Sequence, residues 1–140
     1  MKTLLAAALA LLAGAPAAAC PGPAVEEAWI REAPPGAMSV AYAKLANRGK
    51  QPLVLDGARS EAFGGAGLHR TVLDAGGMSR MREGTLEIAP GAGAALEPGG
   101  WHLMLFDPAR ILKAGDVVQL TLTCGKDERA FPFTVKAPAP

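Results

Sequence analysis

The sequence predicts an all-β fold, a single sandwich or barrel, and three observations predict it. Glycine and proline, at 17 and 12 residues, cut the chain into short segments. Several of those segments alternate apolar with polar side chains, the period-two signature of strands with one buried face. After the leader, no stretch of ten or more residues shows the 3.6-residue apolar period of an amphipathic helix. The expected strands are Val25 to Arg31, Met38 to Asn47, Leu53 to Arg59, Leu68 to Leu73, Thr85 to Ile88, Trp101 to Phe106, Val117 to Cys124 and Ala130 to Val135.

Each element has a local reason. Met38, Val40 and Tyr42 alternate with smaller residues, so this alanine-rich stretch reads as a strand rather than a helix. Val118, Leu120, Leu122 and Cys124 share one face against Gln119, Thr121 and Thr123, which puts Cys124 on the core side. Turn signals separate the strands: Pro34-Pro35-Gly36, Asn47-Arg48-Gly49, Gly76-Gly77, Pro90-Gly91 and Pro98-Gly99-Gly100. Gly64-Gly65-Ala66-Gly67 and Gly91-Ala92-Gly93 lack a following Gly-Lys-Ser/Thr and read as turns, not phosphate cradles.

Lys2, the apolar run Leu4 to Leu12 and the small residues Ala13 to Ala19 form a secretory leader with A-x-A cleavage sites, so residues 1–19 are expected to be removed. Residues 20–136 then make one domain, followed by a frayed tail over 137–140. No later stretch has the ~18 to 20 apolar residues of a transmembrane span. The expected address is the periplasm, and the expected state a monomer. The full chain has 14 Lys plus Arg against 13 Asp plus Glu. Loss of Lys2 makes the two equal, so no basic surface points to a nucleic-acid or anionic-membrane partner.

The two cysteines, Cys20 and Cys124, both survive cleavage into an oxidising compartment, where a disulfide between them is expected. The competing reading makes Cys20 the lipidated first residue of a lipoprotein, though Ala17-Ala18-Ala19-Cys20 lacks the leucine usual three residues before such a cysteine.

Soft metal ligands cluster late in the chain. His69, Met78, Met81, His102 and Met104 fall within one stretch, while Met38 stands alone upstream. Methionine commonly fills core gaps, yet thioether sulfur together with imidazole is the donor set that favours Cu(I) over hard oxygen-seeking ions. His102 and Met104 are two apart in a strand, so they project from one face while Leu103 and Leu105 point to the other. Imidazole ligates only when neutral, so affinity is expected to fall as pH drops through the ~6.5 region where free histidine protonates.

Those residues carry a resemblance. His69, Ser79-Arg80-Met81-Arg82, Ile88-Ala89-Pro90-Gly91, Pro98-Gly99-Gly100 and His102-Leu103-Met104-Leu105 resemble the periplasmic copper chaperones of the PCu(A)C family. Leu112-Lys113-Ala114-Gly115-Asp116 and the strand after it extend the likeness, which is weakest before about residue 60. The family pattern is His, ten residues, Met, twenty-one residues, His-x-Met. Here eleven residues separate His69 from Met81 and twenty separate Met81 from His102, so the overall span is kept. A bulge near Gly76-Gly77 is the expected device for absorbing that shift, with Met78 the fallback ligand.

The resemblance implies a cupredoxin-like Greek-key β-sandwich that binds Cu(I) through His69, Met81, His102 and Met104. It also implies copper-donating or copper-accepting periplasmic partners, with the Cu(A) site of cytochrome c oxidase as destination. The rival is an immunoglobulin-like sandwich serving as a non-metal interaction or structural module. Enzyme chemistry is not expected. A zinc hydrolase needs three histidines, or two with a carboxylate, and an H-E-x-x-H-type motif is absent. Ser39, Ser60 and Ser79 lie in no G-x-S-x-G context. Blue-copper electron transfer needs a cysteine close to its histidines, and Cys124 is remote in sequence.

Overall fold

A computed structural model describes residues 23–139, so the leader, Cys20 and Pro140 lie outside the described residues. The described chain is all β, with eleven strands: β1 Ala24–Arg31, β2 Ser39–Ala46, β3 Leu53–Leu55, β4 Gly57–Arg59, β5 Phe63–Leu73, β6 Ser79–Glu83, β7 Leu86–Ile88, β8 Gly93–Leu96, β9 Trp101–Pro108, β10 Val117–Cys124 and β11 Asp127–Lys136. Nine of them form one mixed sheet in the order β4-β10-β11-β1-β2-β8-β9-β5-β6, and β3 pairs with β7 separately. Among the described residues no helix is long and apolar enough to cross a membrane.

The sheet folds over a single core. Leu68, Leu103 and Leu105 from one half and Leu120, Leu122 and Phe133 from the other meet in one buried cluster. A bulge helps it turn: the β1–β2 register shifts between Glu26 and Trp29, where Glu27 takes a positive φ of 50°. Beyond that bulge β1 pairs in parallel with β11. The alternation read in β10 holds, with Val118, Leu120 and Leu122 buried and Cys124 packed against the core. Asn47 is also buried and clasps its surroundings. Its Nδ2 donates to the carbonyls of Gln51 (2.7 Å) and Ile88 (2.9 Å), and its Oδ1 accepts from the Gly49 N–H at 3.0 Å.

Three expectations need correction. Gly64 to Gly67 is not a turn but part of β5, which begins at Phe63. The segment Leu53 to Arg59 is two strands, because Asp56 leaves the β3–β7 pair, accepts hydrogen bonds from Thr123 Oγ1 and Gly125 N–H, and passes the chain to β10. Gly76-Gly77 is no bulge either. It is the β5–β6 hairpin turn, with Gly77 at a φ of 78° and the β5–β6 register unbroken from His69 opposite Glu83 to Leu73 opposite Ser79.

Two strands, β6 and β8, escaped the sequence reading. β8 and the expected β9 both run antiparallel to β2, one after the other along it. The Pro98-Gly99-Gly100 loop bulges out between them and delivers the start of β9 beside β5. β6 is the sheet's last strand, paired only with β5 and exposed along its whole length.

Candidate metal centre

Register brings the histidines together. In the antiparallel β5–β9 pair His69 sits directly opposite His102, and Gly67 directly opposite Met104. Cross-strand partners share a face, so His69, His102 and Met104 lie on one side of the sheet. Leu68, Leu103 and Leu105, fully buried, point into the core from the other. The two imidazole ring centroids are 6.2 Å apart. A first-row ion sits about 2 Å from a ligating imidazole nitrogen, hence about 3 Å from the ring centroid, so two rings can share an ion at up to about 6 Å.

His102 is held ready. Its Nδ1 lies 3.0 Å from the Gly100 carbonyl oxygen. A carbonyl can only accept, so Nδ1 is the donor, and in the neutral ring the free lone pair falls on Nε2. The same carbonyl accepts the Thr71 N–H at 3.1 Å, which ties the orienting oxygen to β5. His102 is only 3% exposed, and its Nε2 is the one buried side-chain nitrogen or oxygen among the described residues without a hydrogen-bond partner. Leaving such an atom unsatisfied costs about 1–3 kcal/mol. A histidine whose second nitrogen is fixed by a backbone carbonyl is the arrangement that presents the first nitrogen to a metal.

The thioethers divide between buried and exposed. Met104, at 8% exposed, is enclosed beside His102 on the same strand face. Met81 lies opposite Thr71 on β6, one diagonal step from His69, and is 57% exposed. Long side chains bridge such a diagonal, about 7–8 Å. Met78, the fallback, falls in the hairpin turn, where Asp74 N–H bonds to its carbonyl at 2.9 Å, and is 65% exposed. The register thus places Met81, not Met78, on the His69 face of β6.

Sequence reasoning missed several residues of this site. Gly67 is buried beneath His69: a Cβ there would come within 3.0 Å of His69 Nε2. Phe106 continues the His102, Met104 alternation and lies 6.1 Å, ring to ring, from His69. Glu83 faces His69 across the β5–β6 ladder. The period-two rule could have flagged Phe106 and Gly67, each two residues from a proposed ligand. Glu83 needed the register. Trp101 belongs to the core side, packed partly against the apolar cluster with Arg70 lying over its ring.

Among the described residues no three His, Cys, Asp or Glu converge as a metal cluster. The soft side chains that share the face of the two imidazoles are the thioethers of Met104 and Met81. Cys124 stands at the end of β10, outside this face, and is not a free thiol.

Known proteins resemble this chain in sequence and in fold. Residues 23–139 match a family described as "Putative lipoprotein LpqE-like". A relative from Leifsonia xyli subsp. xyli, described as "Putative lipoprotein Lxx21020", is 34% identical over 103 residues, which cover 72% of this chain and 61% of the relative. The apo PCuAC domain from PmoF1 superposes with a TM-score of 0.69 at 28% identity, covering 81% of this chain and 92% of that domain. The Cu(I) form of DR1885 from Deinococcus radiodurans gives 0.61 at 29% identity, covering 86% of this chain and 80% of that one. The fold shared with these PCuAC domains is cupredoxin-like.

Proposed function

The chain belongs to the LpqE-like family, and from that premise we propose that it is an exported Cu(I) carrier, binding copper through His69, Met81, His102 and Met104 and passing it to a partner. The observation that carries this reading is the buried, unpartnered Nε2 of His102 on the same strand face as the buried Met104. Two imidazoles and thioethers with no thiolate make a soft donor set, suited to Cu(I) and poor for Mg²⁺ or Ca²⁺. The likeness to a solved Cu(I)-bound protein at 29% identity supports the same cargo. The partner we propose is the Cu(A) site of a cytochrome c oxidase, and the compartment the periplasm.

The two cysteines complete the proposal. Cys124 is not a free thiol, and Cys20 is the other cysteine of the sequence, so we pair them. The lipoprotein descriptions of the family and of the relative favour a second reading, in which Cys20 carries lipid. One sulfur cannot do both. Intact mass of the exported protein decides: loss of two hydrogens marks the disulfide, a gain of acyl mass the anchor.

The test of copper binding is Cu(I) titration against a soluble chelator, with the wild type and Met104→Ile. Exchange of similar volumes costs less than about 1.5 kcal/mol of stability, so the variant folds. The wild type should take up one equivalent. Met104→Ile should bind it more weakly by over the roughly 10-fold that losing an outer-shell partner costs. Equal affinity in the two proteins would remove Met104 from the site, and no uptake by the wild type would leave the non-metal module as the better reading.

A further inference from the structure

Met38 has no role in the ligand set above, yet the fold sets it beside Met104. It stands one residue before β2, and Val40, two residues on, is the register partner of Met104 in the β2–β9 pair. A residue two positions from a cross-strand partner is the diagonal neighbour, within reach of a long side chain. The two methionines line the same open cavity of about 330 Å³, together with Val40, Pro34 and Pro138. Ser39 anchors the segment between them, its hydroxyl donating to the Arg31 carbonyl of β1.

Met38 is 57% exposed, so it contributes little to the core, while Met104 is enclosed. Met104 therefore has two sides. Along β9 it neighbours His102, and across β2 it borders the cavity that Met38 shares. The soft donors run as a diagonal band over four strands: Met38 before β2, Met104 and His102 on β9, His69 on β5, Met81 on β6. Arg31 and Glu32 also line the cavity, but a solvent-facing thioether at one end of a band of thioethers and imidazoles suits a soft monovalent cation.

We propose that Met38 and Met104 form a two-thioether port for Cu(I) or Ag(I), sharing Met104 with the histidine centre, through which the ion enters and leaves. This rests on the copper-carrier reading for its cargo but concerns a different residue and a different face of Met104. The ion's charge and oxidation state do not change in the transfer. One thioether contact is exchanged for imidazole contacts as it moves from Met38 toward His102.

The experiment uses the full chain with ¹³C-labelled methionine methyls, titrated with Ag(I) and followed by NMR, alongside Met38→Ile. In the wild type the Met38 methyl should shift together with that of Met104 as Ag(I) is added. In Met38→Ile the Met104 methyl should still shift, while transfer of Cu(I) from the loaded protein to bicinchoninate slows about tenfold, equivalent to about 1.4 kcal/mol on the barrier. A Met38 methyl that stays at its free position through saturating Ag(I), or a Met38→Ile protein that gives up Cu(I) as fast as the wild type, overturns the port. Failure of the carrier reading looks different: there the Met104 methyl and the His102 ring signals would themselves stay fixed.

Discussion

Gly67→Ala isolates the role of His69, because it adds one methyl group beneath that ring and replaces no proposed ligand. The new Cβ would lie 3.0 Å from His69 Nε2 and 3.3 Å from its Cδ2. Ordinary contact begins near 3.4 Å, so the ring must lift by a few tenths of an ångström. Gly67 is a strand residue and is not among the glycines with positive φ, so alanine fits the backbone. Alanine also suits an extended conformation slightly better than glycine, by roughly 0.5–1 kcal/mol. His69 is only half-buried and can yield. The apo protein should therefore keep its stability to within about 1 kcal/mol, an offset of small terms.

Copper should respond differently. A ligand displaced by a few tenths of an ångström resembles the loss of an orienting partner, which costs about 10-fold to 100-fold in metal affinity; about tenfold is expected here. Thermal unfolding of the apo form and Cu(I) competition against a chelator measure the two quantities separately. If Gly67→Ala bound Cu(I) as tightly as the wild type while folding normally, His69 would not be a ligand held where the structure places it. A large loss of apo stability would instead show that the ring cannot yield.

Other expectations follow from single residues. Met81→Leu should weaken Cu(I) binding in the same competition assay while Met78→Leu leaves it alone, because only Met81 shares the His69 face of β6; the reverse order would move the ligand into the turn. Asn47→Ala strands two carbonyls and the Gly49 N–H, and should cost about 1–3 kcal/mol by chemical denaturation. Leu120→Ala, at a fully buried position, should cost about 2–5 kcal/mol. Asp74 is held below the usual carboxylate range by its hydrogen bond to Arg80, then by the Met78 and Gly76 amides. A depressed carboxylate stabilises fully above its unfolded value near ~4 and less as pH falls through the folded one. Hydrogen-exchange protection of the hairpin amides should therefore drop on acidification below about pH 4, and Asp74→Asn should abolish that dependence.

The strands that could be read were those whose alternation had a physical cause. β10 and β9 each put leucines on one face and polar or ligating groups on the other, because one side meets the core. β6 gave no such signal: Ser79-Arg80-Met81-Arg82-Glu83 is exposed on both faces and is a strand only through its backbone bonds to β5. β8, Gly93–Leu96, is too small-sided to show a period. The glycines of β5 looked like turn residues, yet Gly67 is a glycine because a histidine ring rests on it. For the site, alternation paired His102 with Met104. The approach of His69 depended on register, and register is a tertiary property. The orienting Gly100 carbonyl and the neighbouring Met38 were likewise beyond any one-dimensional pattern.

The division of the donors between strands bears on how cargo could be both held and released. His102 and Met104 are on β9, which pairs with β5, β2 and β8 and packs its alternate leucines into the core. His69 and Met81 are on the β5–β6 hairpin, whose outer strand has one neighbour only. Local opening is easiest where backbone bonds are exposed and apolar contacts few, so β6 should open before β9. Amide exchange referenced to intrinsic rates should show the least protection in Ser79 to Glu83 and the most in Leu103 to Leu105. Metal bridging both strands should raise protection in β6 far more than in β9. Equal gains in the two strands would mean that the ion does not span the hairpin, and that Met81 stays outside the coordination even when His69 is within it.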